Sequence, residues 1–91
     1  MDKVIFRKFE DGQVIAIFPE VPATMHVDEC LSYMHIGQHG ACSESLIDEL
    51  ERAKSSEYGD LFDELESIGY KLHIVEDISP EMIKIRVREL L

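Results

Sequence analysis

Residues 4–18 read VIFRKFEDGQVIAIF and are typical of a β-hairpin. Two runs of β-branched and aromatic residues, 4–9 and 13–18, are separated by the tripeptide EDG at 10–12. Asp-Gly between two such runs is a strong turn signal, because glycine readily adopts the positive φ that a tight hairpin turn requires. The sequence therefore predicts two antiparallel strands in its first eighteen residues.

The residues that follow the hairpin predict a loop and a third strand. Pro19 and Pro22 are expected to end the second strand, since proline has no N–H to donate to a sheet. Residues 19–29 are interpreted as a loop, and residues 30–36, CLSYMHI, favour a strand. We interpret GQHG at 37–40 as a turn that ends this strand.

Residues 55–69 predict an amphipathic helix followed by another strand. Ser55 is the expected N-cap, and Gly69 is the expected left-handed residue at the C-terminal end. The strand is predicted at residues 71–75. The apolar side chains of the helix recur at the spacing of one helical face: Tyr58, Leu61, Phe62, Leu65 and Ile68.

Two further segments fit either a helix or a strand. Residues 43–54 fit a short helix, and a strand fragment near 46–47 remains an alternative. Residues 82–91 alternate in polarity as a strand does, yet their apolar residues also share a helical face. We favour the helix there, because Ser79 and Pro80 form a good helix start.

These elements predict one α+β domain over residues 1–91. We expect a small antiparallel sheet of three to four strands, with two or three helices packed on one face of it. A chain this short must bury most of its apolar residues to form a stable core.

The composition narrows the classes of partner. A net charge of −10 disfavours direct binding to nucleic acid or to an anionic membrane surface. No apolar run approaches the roughly 20 residues of a membrane span, and the first residues lack the apolar core of a signal peptide. We therefore expect a cytoplasmic protein, with two free thiols and no cofactor.

Most of the negative charge lies in residues 43–66, which hold nine acids against two basic residues, a local net of −7. Such a segment is either a solvated helix face or a docking surface for a basic protein. The docking hypothesis predicts that a few side chains contact the partner: Glu57, Asp60, Asp63, Glu64 and Tyr33.

Four potential metal ligands occur within thirteen residues and suggest an alternative function: Cys30, His35, His39 and Cys42. Thiolates and imidazoles are the usual ligands of zinc, but this spacing matches no zinc motif. A strand also directs Cys30 and His35 to opposite faces, because they are an odd number of residues apart. Cys42 and His39 are a second possible pair, as a thiol nucleophile and its base.

Four stretches together resemble a family of small uncharacterised bacterial proteins associated with mobile elements. They lie at residues 4–7, 14–19, 33–40 and 64–70, and the most distinctive is YMHIGQHG at 33–40. This resemblance covers most of the chain and implies no particular activity.

Residues 11–20, DGQVIAIFPE, are also similar to the hairpin of HicB-type antitoxins. That similarity covers residues 4–22 and ends at residue 23, where the expected glycine-containing turn and alanine-rich helix do not follow. Both resemblances imply a small regulatory or inhibitory protein.

The sequence thus predicts a non-enzymatic protein-binding module, an inhibitor or regulator of a nucleic-acid-binding protein. A homo-oligomer formed through a sheet edge is a further expectation, as small sheets often leave an edge unpaired. The alternative is a metal-binding or thiol-dependent protein.

Overall fold

Six strands and three helices follow one another in the computed structural model, which describes residues 1–35 and 37–91. The strands are β1 (Asp2–Lys8), β2 (Val14–Pro22), β3 (Glu29–Met34), β4 (Gln38–Ser43), β5 (Glu51–Arg52) and β6 (Leu72–Ile74). The helices are α1 (Leu46–Glu49), α2 (Ser55–Ser67) and α3 (Pro80–Arg88).

The predicted hairpin is present. β1 and β2 pair antiparallel, with Ile5 opposite Ile17. Gly12 occupies the turn at φ 91°, the conformation that the Asp-Gly signal predicts. Proline did not end β2 where we expected. The strand continues to Pro22 through a register irregularity after Phe18, and such irregularities are where a sheet tolerates proline.

The sheet is larger than the three to four predicted strands. Its order is β4-β3-β2-β1, and β5 (antiparallel) and β6 (parallel) both pair with the far side of β1. The added strand β4 replaces much of the turn predicted at 37–40. Gly37 has φ 70°, and the next six residues all pair with β3. The predicted third strand ends at Met34, and its last residue, Ile36, lies outside the described residues.

The two ambiguous segments have different outcomes. Residues 43–54 contain both alternatives in succession, the helix α1 and then the short strand β5, which lies beyond the 46–47 position considered for a strand. The C-terminal segment is helical, as favoured. The hydroxyl of Ser79 accepts a hydrogen bond from the Met82 N–H at 3.3 Å, and Pro80 occupies the first turn.

One face of the sheet, which we call the α2 face, packs against α2. Its core is apolar and is extended by the half-buried Tyr58, Phe62 and Tyr70. The buried residues of the α2 face come from four strands and the helix: Val4, Phe6, Ala16, Phe18, Tyr33, Leu61, Leu65 and Leu72.

The opposite face, which we call the arginine face, carries α1 and α3 and two buried arginines, Arg7 and Arg86. Its other buried residues are Ile5, Ile15, Ile17, Cys30, Cys42 and Ile47. The expectation of helices on one face only is therefore not confirmed. The middle of β1 and of β2 is buried at successive positions, so both sides of these strands need a cover.

Arg86 of α3 connects four segments on the arginine face. Its guanidinium donates to the Pro19 carbonyl at 2.9 Å, to the Val27 carbonyl at 3.0 Å and to Sγ of Cys30 at 3.0 Å. It also forms an ion pair with Glu44. A single side chain thus holds the last helix against β2, β3 and the loop between them.

Arg7 of β1 has a similar role beside α1. It donates to the Ile47 carbonyl at 2.8 Å, to the Glu76 carbonyl at 2.5 Å and to the Asp77 carboxylate at 3.3 Å. The segment between β6 and α3 is fixed in this way to the first strand.

No helix in the described part of the chain is long and apolar enough to cross a membrane.

Candidate functional site

The candidate site is the acidic helix α2 with the β3–β4 turn that packs against it. α2 contains five acids and no basic residue in its thirteen positions. Both of its ends are fixed. Lys54, not the predicted Ser55, occupies the N-cap position, and its N–H donates to the Glu57 carboxylate at 2.9 Å.

The C-terminal end of α2 is closed as the sequence predicts. Gly69 has φ 114°, and the Tyr70 N–H donates to the Leu65 carbonyl at 3.1 Å. This is the bond of a Schellman motif, which needs a residue that tolerates positive φ. Both ends of the helix backbone are therefore closed by bonds within the chain.

The five acids of α2 divide into two groups. Asp60, Asp63 and Glu66 are exposed, and none of them has a hydrogen bond or ion pair within the described residues. Glu57 and Glu64 instead point toward the sheet and bond to it. Only the first group is available to a partner without breaking an internal contact.

Glu57 is bound by Lys8 of β1, whose Nζ lies 2.6 Å from the carboxylate. The hydrogen bond from Lys8, together with the backbone bond from Lys54, lowers the pKa of Glu57. The same bond raises the pKa of Lys8. This pair connects the first turn of α2 to the sheet.

Glu64 connects α2 to the β3–β4 turn. It accepts a hydrogen bond from the Tyr33 hydroxyl, and its other oxygen lies 2.5 Å from Nδ1 of His35. The Gly37 N–H donates to the Tyr33 hydroxyl oxygen at 3.0 Å. The bond to Glu64, and then burial, raise the pKa of Tyr33, so its hydroxyl stays protonated and remains a donor.

Tyr33 was also predicted to contact a partner, but it is only 2% exposed and is therefore not accessible from the surface. Its ring contacts His39 edge-on, with ring centroids 4.7 Å apart. His39 in turn lies 2.8 Å from the Tyr70 hydroxyl through Nε2. The two tyrosines and the two histidines of this region therefore fasten the β3–β4 hairpin to the end of α2.

Two open cavities adjoin His35, which is 73% exposed. The larger, of about 500 Å³, lies beside Gln38, and the smaller, of about 250 Å³, reaches Glu57 and Asp60. The residues that line them include no hydroxyl or thiol within the described chain. The hydroxyl that does adjoin the His35–Glu64 pair is that of the buried Tyr33, which donates to Glu64. Such an arrangement can position a proton or hold two elements together.

The structure separates the four candidate metal ligands. Cys30 and Cys42 are opposite each other on β3 and β4 and are buried on the arginine face. His39, an odd number of residues from Cys42, contacts Tyr33 on the α2 face. Across residues 1–35 and 37–91 no group of three or more His, Cys, Asp or Glu side chains is placed to hold a metal ion.

The thiols are also poorly suited to nucleophilic chemistry. Burial raises the pKa of the Cys30 thiol to about 11 and raises that of Cys42 as well. The thiolate is the reactive form, and it is scarce at neutral pH for such a group. His39 cannot act as a base for Cys42, because the sheet lies between their side chains.

The sequence indicated the acidic helix, but it did not show which of its acids are exposed and which bond to the sheet. The residue it omitted is Glu66, which was among the nine acids of the segment and is exposed. Tyr70 was the other omission, and its position directly after the C-terminal glycine was the available signal.

A comparison of the chain with known proteins finds no matching family, no similar curated protein and no similar solved structure.

Proposed function

We propose that this domain is a non-enzymatic binding module that docks on a basic protein through the exposed acids of α2. The acids in question are Asp60, Asp63 and Glu66, with Glu57 and Glu64 adding to the negative field from behind. The single observation that supports this proposal is the group of three carboxylates left without an internal partner on a rigid helix.

The distribution of basic residues strengthens the argument. Six of the nine basic residues form ion pairs inside the described part of the chain, so their charge is neutralised locally: Lys3, Arg7, Lys8, Arg52, Lys84 and Arg86. The unpaired acids of α2 therefore dominate the field on their side of the molecule. Such a field accelerates encounter with a cationic surface and repels nucleic acid itself.

The natural target is a protein whose own function needs a basic surface, such as a nucleic-acid-binding protein. Carboxylates three residues apart follow each other every ~4.5 Å along a helix. This spacing is of the same order as the rise of about 3.4 Å per phosphate along one DNA strand. A helix of this kind can occupy a groove that otherwise holds a phosphate backbone, so the module would act as an inhibitor or regulator.

The test is a pull-down from native lysate, followed by measurement of the affinity of the captured protein for three forms of the domain. The first variant is Asp60→Lys/Asp63→Lys/Glu66→Lys. The matched control, Glu10→Lys/Glu49→Lys/Glu89→Lys, makes the same change in net charge at exposed acids outside α2. Glu64 is left unchanged, because its reversal would disturb the contact with Tyr33.

We expect the α2 variant to bind at least about tenfold more weakly than wild type, which is ~1.4 kcal/mol. The control should retain most of the affinity, and binding of wild type should weaken as added salt shortens the Debye length. An equal loss of affinity in both variants would show that binding depends on net charge and not on the acids of α2. If both variants retained the affinity of wild type, α2 would not be part of the interface.

A further inference from the structure

The outer strand β4 is an unprotected sheet edge. In the described part of the chain β4 pairs with one strand, β3. The first four residues of β4, 38–41, are exposed. An edge strand presents a row of unpaired N–H and C=O groups on its outer side. On the opposite side of the sheet the edge strands are β5 and β6, which have only two and three residues and both pair with β1.

Natural proteins protect an edge strand with charge, proline, a bulge or a covering element. β4 has none of the first three. Its sequence is QHGACS, and all six of its residues pair with β3 in an unbroken register. It belongs to the longest stretch without Asp, Glu, Lys or Arg, the fourteen residues 30–43 of a chain that is 31% charged. The uncharged stretch and the open edge thus coincide.

We propose that two copies of the domain pair through β4, antiparallel, to form one continuous sheet. A two-fold axis perpendicular to the sheet allows two registers, with either Gly40 or Ala41 opposite its own copy. With Gly40 on the axis no side chain of β4 faces a charged side chain, and with Ala41 on the axis only Gln38 does, opposite Glu44. No like charges meet across the new ladder, which is the main obstacle to self-pairing in a chain of net charge −10.

The surroundings of β4 favour a second copy over a charged partner strand. The acid nearest its C-terminal end, Glu44, is already paired with Arg86. An open cleft of about 330 Å³ runs beside β4 on the arginine face, with Phe9, Met34 and Leu46 among its lining residues. A second β4 would extend the wall of this cleft and shield its apolar side chains from water.

The pairing places both α2 helices on the same side of the joined sheet, since the axis leaves each α2 face pointing the same way. This consequence rests on the proposed function, whereas the pairing itself does not. The dimer would then offer two acidic helices to a partner with two-fold symmetry, and binding at one would raise the effective concentration at the other.

The pairing is tested by sedimentation equilibrium of the pure protein, without any partner, up to about 1 mM. We expect wild type to dimerise reversibly. Ala41→Lys should weaken dimerisation at least about tenfold, because the two lysines face each other when Ala41 lies on the axis and are diagonal neighbours when Gly40 does. Gln13→Lys adds the same charge at the exposed β1–β2 turn and should dimerise as wild type does. A strictly monomeric wild type, or an Ala41→Lys variant that dimerises as tightly, overturns the proposal.

One introduced cysteine at a time tests the register, in a Cys42→Ser background, because Cys42 would otherwise face position 40 of the other copy when Ala41 lies on the axis. Gly40→Cys and Ala41→Cys are each oxidised in air with copper phenanthroline at a concentration where wild type is dimeric. One of the two should form a symmetric intermolecular disulfide, and Gln13→Cys should form none. Cross-linking at neither edge position overturns the geometry even if a dimer exists. Failure here leaves the test of α2 binding unaffected, since no partner is present.

Discussion

The two faces of the sheet are buried by different kinds of contact. On the α2 face the core contacts are apolar and aromatic, as in the stacking of Phe6 on Tyr58 with ring centroids 4.4 Å apart, and polar bonds such as Lys8–Glu57 lie around that core. On the arginine face two guanidinium groups, those of Arg7 and Arg86, are 2% and 0% exposed. The first kind of contact is non-directional, and the second depends on the position of each acceptor.

The difference shows how a small domain can fix segments that have no regular structure. Two of the carbonyls that the arginines bind belong to such segments, those of Val27 before β3 and Glu76 after β6. These oxygens would otherwise lack a partner close to the core, and a buried acceptor without one is costly. The apolar α2 face needs no such device, because a helix satisfies its own backbone.

The largest expected effect comes from exchanging one residue of similar size on each face. Leu65→Met keeps the volume of the apolar core and should lower the free energy of unfolding by less than about 1.5 kcal/mol. Arg86→Met leaves the Pro19 and Val27 carbonyls and Glu44 without their donor, and should lower it by about 3–5 kcal/mol. Urea unfolding measures both, with the exposed Arg88→Met as a surface control. Similar losses for Leu65→Met and Arg86→Met would show that the two faces do not differ in this way.

A group on the arginine face should also make the free energy of unfolding fall at alkaline pH. Burial raises the pKa of Cys30 to about 11 from an ordinary value of 9.0, so the folded state holds this proton more tightly than the unfolded state does. The stabilisation is complete below the unfolded pKa and is lost as the pH rises through about 9 toward 11. We expect the free energy of unfolding to fall over this range in wild type. In Cys30→Ala the slope should be shallower, and an unchanged slope would exclude Cys30 as its source.

The α2 face should cause a smaller loss of stability, and this loss should occur as the pH falls. The pKa of Glu57 is lowered by the hydrogen bond from Lys8, so its contribution is present above the unfolded pKa of about 4.3 and is lost as the pH falls. Thermal unfolding between about pH 5 and pH 3 should show a weaker pH dependence in Glu57→Gln than in wild type. Asp63→Asn, an exposed acid on the same helix, is the matched control and should leave the slope unchanged. An identical pH dependence of unfolding in all three proteins would show that Glu57 does not contribute to the loss of stability in acid.

The local features of the fold were predictable from the sequence because their signals are local. The Asp-Gly turn, the glycine that ends α2 and the Ser79-Pro80 helix start each act within a few residues, and each is found where predicted. β4 was missed because Gly40 and Ala41 carry little β propensity. It is a strand because of its pairing with β3, which is a tertiary contact.

The two-faced burial had a signal that we did not use. Residues 15–18, IAIF, are apolar at every position, which is typical of a strand covered on both sides. The role of Arg86 had no such signal. An arginine near the C-terminal end of a helix is typical of a favourable interaction with the helix dipole, whereas the partners of Arg86 lie as far as 67 residues away.

At the candidate site the sequence indicated the acidic segment but not the roles of its members. Helical spacing places Asp60 and Glu64 near each other, yet one is exposed and the other bonds to Tyr33. That division depends on where the β3–β4 hairpin meets α2, a contact between residues 31 positions apart.

The position of Arg86 in the chain also governs the order in which the domain can be completed during synthesis. All six strands have been made once Ile74 is added, twelve residues before the arginine that closes one face of the sheet. A growing chain therefore lacks this clasp until Arg86 has been added and has left the ribosome. Until then the Pro19 and Val27 carbonyls have no donor from α3.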